Sequence, residues 1–308
     1  MSNIDYRHVS LYNVVRAAGL VTLTDLSPIA TRTSQAGAAF LDALVLAPGM
    51  HCQQSACDQP ACTTNCNGFR MVSSTQDVPL IKNPAIVRYF QPIARPGHIV
   101  TTRISPHPFY NAKLSRRKRH LQSFFVTGVP ATLLYLLCPT LSITAAVFLG
   151  TRRDWRGLGV LVMFIVSRLI NVVVVRRRSI RREVARELSG EGEILVSLSQ
   201  DRWIRLRGML DDLKIIASRQ WREKSAIEGY FVSFATLLVY AAVILSSSAS
   251  TAGILTISCL LLCSSAILGL CNVLTQCLQV FDCVVYMEGE PEKYSERNTT
   301  IDGMLDKA

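Results

Sequence analysis

Charge is missing from three long stretches of this 308-residue chain: residues 121–150 and 229–281 carry no Asp, Glu, Lys or Arg, and residues 157–175 carry only Arg168. Uncharged runs of that length exclude a single soluble domain. Also lacking are G-x-x-x-x-G-K-[ST], H-E-x-x-H, G-x-S-x-G and the dinucleotide fingerprint, so no motif points to catalysis and the reading leans away from an enzyme. Histidine is scarce, and all five (His8, His51, His98, His107, His120) precede the first uncharged run. Haem or di-iron ligation by histidine inside the membrane is thereby excluded. The opening has no uninterrupted apolar centre, since Asp5, Arg7 and Arg16 break it, and no cleaved leader is expected. No inverted repeat of the secondary-transporter kind is apparent.

What is present is a net charge of +11 over 49% apolar residues. By region the charge is +8 for residues 1–150, +7 for 151–229 and −4 for 230–308. The excess flanks the apolar runs, which makes it an orientation signal before it is evidence for nucleic acid. Nucleic acid is not expected as a partner.

The runs predict a mainly α fold: a polytopic helical bundle of four spans, at about 124–149, 157–175, 230–247 and 254–275. Pro130 or Pro139, or tilt, would absorb the excess length of the first. Residues 113–175 form a basic flank and a first helical hairpin, 229–287 a second hairpin with an interfacial helix over 276–287, and 288–308 an acidic tail. Residues 176–228 form a cytosolic insert. In it, 194–198 and 203–207 alternate as a small β-hairpin would, followed by helix from Leu210 to Trp221. A helix with Trp203, Leu206, Leu210 and Leu213 on one face, capped by Ser199, fits nearly as well.

Nine of the twelve prolines precede residue 113. Residues 1–112 therefore read as a cytosolic, Cys/Pro-rich and largely irregular region with no core. Ala36–Met50 is apolar but short, and it contains Asp42, so a short helix resting on something is expected rather than a crossing. Basic residues crowd before the first span (Lys113, Arg116, Arg117, Lys118, Arg119) and after the second (Arg176, Arg177, Arg178, Arg181, Arg182, Arg186). The positive-inside rule then places both termini and the insert in the cytosol, without resolving plasma membrane from endomembrane. The clusters could also hold anionic lipid.

Cys52, Cys57, Cys62 and Cys66 fall within fifteen residues. No C-x-x-C knuckle occurs, so zinc competes with reduced thiols, S-acylation and disulfides. Arg168 is the one charge well inside a span, with Asn171 on the same helical face. A buried guanidinium costs at least about 2.5 kcal/mol on insertion scales, so it needs a partner, a wet cavity or the interface. Asn272, Thr275 and Gln276 of the fourth span are the expected partners, against a transport site at Arg168 and Asn171. Ser265-x-x-x-Gly269 would let another helix approach, including one from an oligomer. Asn298 opens the one glycosylation sequon, unused if cytosolic. Trp203, Arg205, Arg207, Asp211 and Asp212 mark the insert as a protein-partner surface, against a self-packed element with Arg to Asp pairing.

The stretch ILVSLSQDRWIRLRGMLDDLKIIASRQW at 194–221, the serine-rich turn after the third span and LGLCNVLTQ resemble multi-pass membrane proteins of filamentous fungi. The resemblance covers mainly residues 110–285; the cysteine-rich start departs from it. It implies location and span layout and transfers no catalytic residue. An interaction or scaffold role is the leading expectation, with a transporter or channel subunit, or an accessory protein of a metabolic pathway, as alternatives.

Overall fold

A computed structural model describes residues 28–55, 71–72, 89–90, 93–106, 125–179, 190–198, 202–213, 222–275, 277–280 and 283–293. Four helices carry the apolar runs: α2 (Val129–Thr151), α3 (Trp155–Arg178), α4 (Ala226–Ser246) and α5 (Thr251–Leu274), with α1 (Pro28–Ala36) before them. Each of α2 to α5 is long and apolar enough to cross a membrane. The fold is mainly helical, with a small sheet. At about 1.5 Å per residue, the 23 residues of α2 span about 35 Å. Starting at Val129, with Pro130 in the first turn, removes the excess length expected from residues 121–150.

The helices do not pack chiefly within the α2–α3 and α4–α5 hairpins: α3 packs mainly on α4, and α2 mainly on α5. Ser167 Oγ donates to the Ala235 carbonyl at 2.7 Å, joining α3 to α4. The Cys271 thiol donates to the Ala131 carbonyl at 3.2 Å, joining α5 to α2. Both thiol and hydroxyl are short donors that satisfy themselves on backbone oxygen, which costs no buried charge. Gly269, expected at a close helix approach, faces open space.

Beyond one end of the bundle lies a seven-stranded sheet: β1 (Met71–Val72), β2 (His98–Pro106), β3 (Glu191–Leu198), β4 (Arg202–Met209), β5 (Cys277–Val280), β6 (Cys283–Met287) and β7 (Glu292–Lys293). Its order is β1-β3-β4-β2-β6-β5, with β7 pairing β2 beside β6. β2 and β4 run parallel, with Ile99 opposite Trp203 and Arg103 opposite Arg207. Val100, Ile104, Ile204, Leu206, Cys283 and Val285 face inward onto Phe90 and Leu213.

Two expectations are corrected, and one choice between alternatives is decided. Residues 98–106 are a central strand, not irregular: the Pro96-Gly97 turn, with Gly97 at φ 70°, opens the strand and Pro106 ends it, so prolines bracket a β-branched run instead of interrupting it. Residues 277–280 and 283–287 pair as antiparallel strands with Val280 opposite Cys283, not as an interfacial helix. The insert is a hairpin, Glu191 opposite Met209 through Leu198 opposite Arg202, and not the competing helix. Alternating side chains on a half-buried face decided this, because a helix would have placed Ile204 and Arg205 on adjoining rather than opposite sides. Leu210–Leu213 is helical; residues 214–221 lie outside the described residues.

Candidate functional site

The polar centre of the molecule is built by a segment that crosses nothing. After α1, two short 3₁₀ turns, Phe40–Leu44 and Met50–Cys52, enter the bundle and leave it on the same side. Ser142 Oγ donates to the Leu44 carbonyl at 2.6 Å, and Ser142 lies about 20 Å along α2 from its sheet-side start. The His51 ring meets Tyr240 of α4 at 6.2 Å between centroids. Phe40, before the tip, lies under the Arg176 guanidinium at the sheet-side end of α3. The segment is therefore re-entrant, with Val45, Leu46, Ala47 and Met50 all buried. Irregular backbone is tolerated at membrane depth only where protein encloses it, as here. Gly49 turns the tip at φ 77°, a left-handed conformation that glycine adopts without strain.

Arg168, 2% exposed, holds this segment. Its Nε donates to the Asp42 carbonyl at 3.2 Å, and its Nη1 donates to Gln53 Oε1. The Asp42 carboxylate attracts the guanidinium and accepts from the Tyr135 hydroxyl at 2.5 Å. Gln53 Nε2 donates in turn to Thr33 of α1. Gln54 Nε2 reaches the Asn171 carbonyl at 3.3 Å and Oδ1 at 3.4 Å, while its Oε1 accepts from Arg178 at 3.1 Å. Arg178 Nε bonds the Arg222 carbonyl, and Arg222 pairs with Glu228, which closes the capping box of α4 with Ser225. One chain of polar contacts thus runs from mid-bundle to the sheet side.

Two of the three partners foreseen for Arg168 are corrected; Gln276 lies outside the described residues. Asn272 donates to the Pro28 carbonyl at 2.9 Å, and Thr275 accepts from Arg32 at 3.2 Å; neither reaches Arg168. The carboxylate missing from the spans is supplied by Asp42, and the lone acid that counted against membrane insertion of Ala36–Met50 is what anchors it. Chemically the arrangement is closed: a charge, a carboxylate and two amides satisfy one another, which makes them a lock on the segment and not a vacancy for cargo.

At the far end, Asp154 caps α3 by accepting from the Gly157 N–H at 3.1 Å. It also accepts from the Ser250 N–H at 3.2 Å and from the Ser250 hydroxyl, tying the α2–α3 turn to the α4–α5 turn. Burial works to raise its carboxyl pKa, but these hydrogen bonds, with Arg156 nearby, outweigh it and hold the carboxyl below its ordinary value.

In the sheet, Trp203 is buried, and Arg205 and Arg207 pair with Glu193 at 3.7 and 2.6 Å. Asp212 is buried and accepts from the Cys283 thiol at 3.7 Å. Arg103 pairs with Glu288 at 3.3 Å. Burial pushes the Cys277 thiol up to about 11. Cys52 is half-buried. Cys57, Cys62, Cys66 and Asn298, the cluster Lys113–Arg119, Arg181, Arg182, Arg186 and the tail from 294 lie outside the described residues. Sequence reasoning missed Asp42, Tyr135, Gln53 and Gln54; the signal was an acid and two amides in an otherwise apolar, too-short segment.

Comparison of the chain with family models, curated proteins and solved structures gives no match.

Proposed function

We propose that the protein is a membrane-anchored interaction scaffold, with its sheet and both termini on the cytosolic side. The observation that carries this reading is the origin of the sheet: β2 precedes α2, β3 and β4 lie between α3 and α4, and β5 to β7 follow α5. Segments joined by pairs of crossings must share one side of the membrane, and Arg176, Arg177 and Arg178 at that end favour the cytosol. On one face of the sheet, the exposed Arg103 and Arg207 lie opposite each other across β2 and β4, pairing with Glu288 and Glu193 at the surface. Two exposed guanidiniums side by side suit a partner that supplies carboxylates.

Scaffolding is favoured over transport because Arg168 and Asn171 spend their hydrogen bonds on the chain's own segment. The test is a photoreactive side chain at exposed Met209 in native membranes. A discrete crosslinked protein partner that disappears in R103S/R207S is expected, with Tm held at the wild-type value. Identical crosslinked species in wild type and variant would refute it.

A further inference from the structure

The end of the bundle opposite the sheet consists of two short turns, residues 152–154 between α2 and α3 and residues 247–250 between α4 and α5, all of them described. Arg152, Arg153 and Arg156 stand exposed there. Asp154 is the one acid in either turn, and its oxygens are already taken by the Gly157 N–H, the Ser250 N–H and the Ser250 hydroxyl. Arg156 Nη1 donates to the Ser248 carbonyl at 3.2 Å, and the Arg152 guanidinium lies 5.4 Å from the centre of the Phe148 ring. Such contacts steady a guanidinium without neutralising it.

The α2–α3 turn bears two costs that its neighbour does not. Arginine beside a span is disfavoured on the side away from the cytosol, yet three stand here against one acid. Arg153 also sits at φ 55°, in the left-handed region where glycine is free and arginine is strained. The α4–α5 turn, Ser247-Ser248-Ala249-Ser250, has no charge and no such backbone. Positive charge kept at two costs points to an anion that rewards it. Its level says which anion. At about 1.5 Å per residue, the 23 residues of α2 cover about 35 Å against a hydrocarbon core of about 30 Å, so the turn emerges into the head-group layer and little beyond it. Trp155, 71% exposed, and Phe148 add aromatic surface of the kind favoured at that depth. A lipid phosphate lies beside these guanidiniums, whereas a soluble partner would find only a low turn to grip.

We propose that Arg152, Arg153 and Arg156 bind the phosphate of an anionic phospholipid in the leaflet opposite the sheet, with Phe148 and Trp155 against its acyl chains. Guanidinium and phosphate match as a charge-assisted pair. A zwitterionic lipid carries the same phosphate beside its own cation and should compete poorly. The test uses the full chain in phosphatidylcholine nanodiscs, with photoreactive phosphatidylglycerol in one arm and photoreactive phosphatidylcholine in the other, and the labelled peptides are mapped. Saturable labelling within residues 146–158 by phosphatidylglycerol, displaced by its unlabelled parent and weakened by salt, is expected. Arg153→Gly should weaken half-saturation about fivefold while holding or raising Tm in phosphatidylcholine alone, because glycine relieves the strained backbone. R152Q/R153Q/R156Q should weaken it by about two orders of magnitude and leave labelling beside Arg176–Arg178, at the other end of α3, unchanged. Replacing the same three with lysine should keep most of the labelling. Equal labelling by the two lipids, labelling that does not saturate, or undiminished labelling in the glutamine variant would each overturn the proposal; the first would return the patch to a soluble acidic partner.

Discussion

Arg168→Leu should release the re-entrant segment from the bundle. The guanidinium is buried, its two donors serve the Asp42 carbonyl and Gln53 Oε1, and its charge faces the Asp42 carboxylate. Removing it leaves a buried carboxylate held by the Tyr135 hydroxyl and the Ala39 N–H but with no counter-charge, a loss on the order of 3–5 kcal/mol for a broken buried pair. At 1.4 kcal/mol per tenfold, the undocked state should rise by about 100-fold or more. Ala47 sits fully buried near the tip, and Ala47→Cys changes its volume little, so the thiol reports undocking. A thiol reacts with N-ethylmaleimide as the thiolate, in water, so alkylation follows the opening equilibrium. The expected result is slow alkylation in an otherwise wild-type chain and acceleration of about two orders of magnitude with Arg168→Leu. Adding Asp42→Leu should return much of the protection, because neither charge is then buried without the other. Equal rates with and without Arg168 would refute the lock. So would a double variant that loses the full sum of the two single losses.

Three further outcomes follow from other parts of the fold. Gly49→Ala places a side chain at φ 77° and should cost about 1–2 kcal/mol, read as roughly five- to thirtyfold faster alkylation at Ala47→Cys. Because the folded Asp154 carboxyl titrates below its ordinary value of 3.8, its stabilisation is fully present above that pH and lost as pH falls through the lower folded value; Tm of wild type should drop relative to Asp154→Ala below about pH 4 and exceed it at pH 7. A Cβ on Gly253 would collide with the Asp154 carboxylate, so Gly253→Ala should lower Tm strongly in the wild-type chain and only weakly when Asp154→Ala is already present.

The four spans were legible because hydrophobicity over some twenty residues leaves little alternative. Their ends differed by a few residues, where caps such as Ser225 with Glu228 and Ser250 with Gly253 decide what composition cannot. The hairpin was legible from alternation at Trp203–Arg207. The sheet as a whole was not, since β2 finds its parallel partner β4 about a hundred residues away and only long-range pairing brings them together. Arg168 was legible as a residue needing a partner. Its partner was not, because Asp42 reads as polar in isolation and becomes favourable only once Tyr135 and Arg168 surround it. The cluster from Cys52 to Cys66 stays a matter for chemistry on the intact chain, with zinc, acylation and free thiols distinguished by metal analysis and mass spectrometry.

Sidedness tests the account most directly. Short epitope tags inserted at the exposed Pro96–Gly97 turn, at Lys224 and at Glu290 fall on the flanks that build the sheet, and a tag at Ser248 falls on the α4–α5 turn. Four crossings and a shared sheet require the first three to lie together, and the basic flanks place them in the cytosol. Antibody applied to intact cells should miss those three, reaching them only after permeabilisation, and should show Ser248 across the membrane from them. A split among Pro96, Lys224 and Glu290, or Ser248 on their side, would contradict the fold at its root.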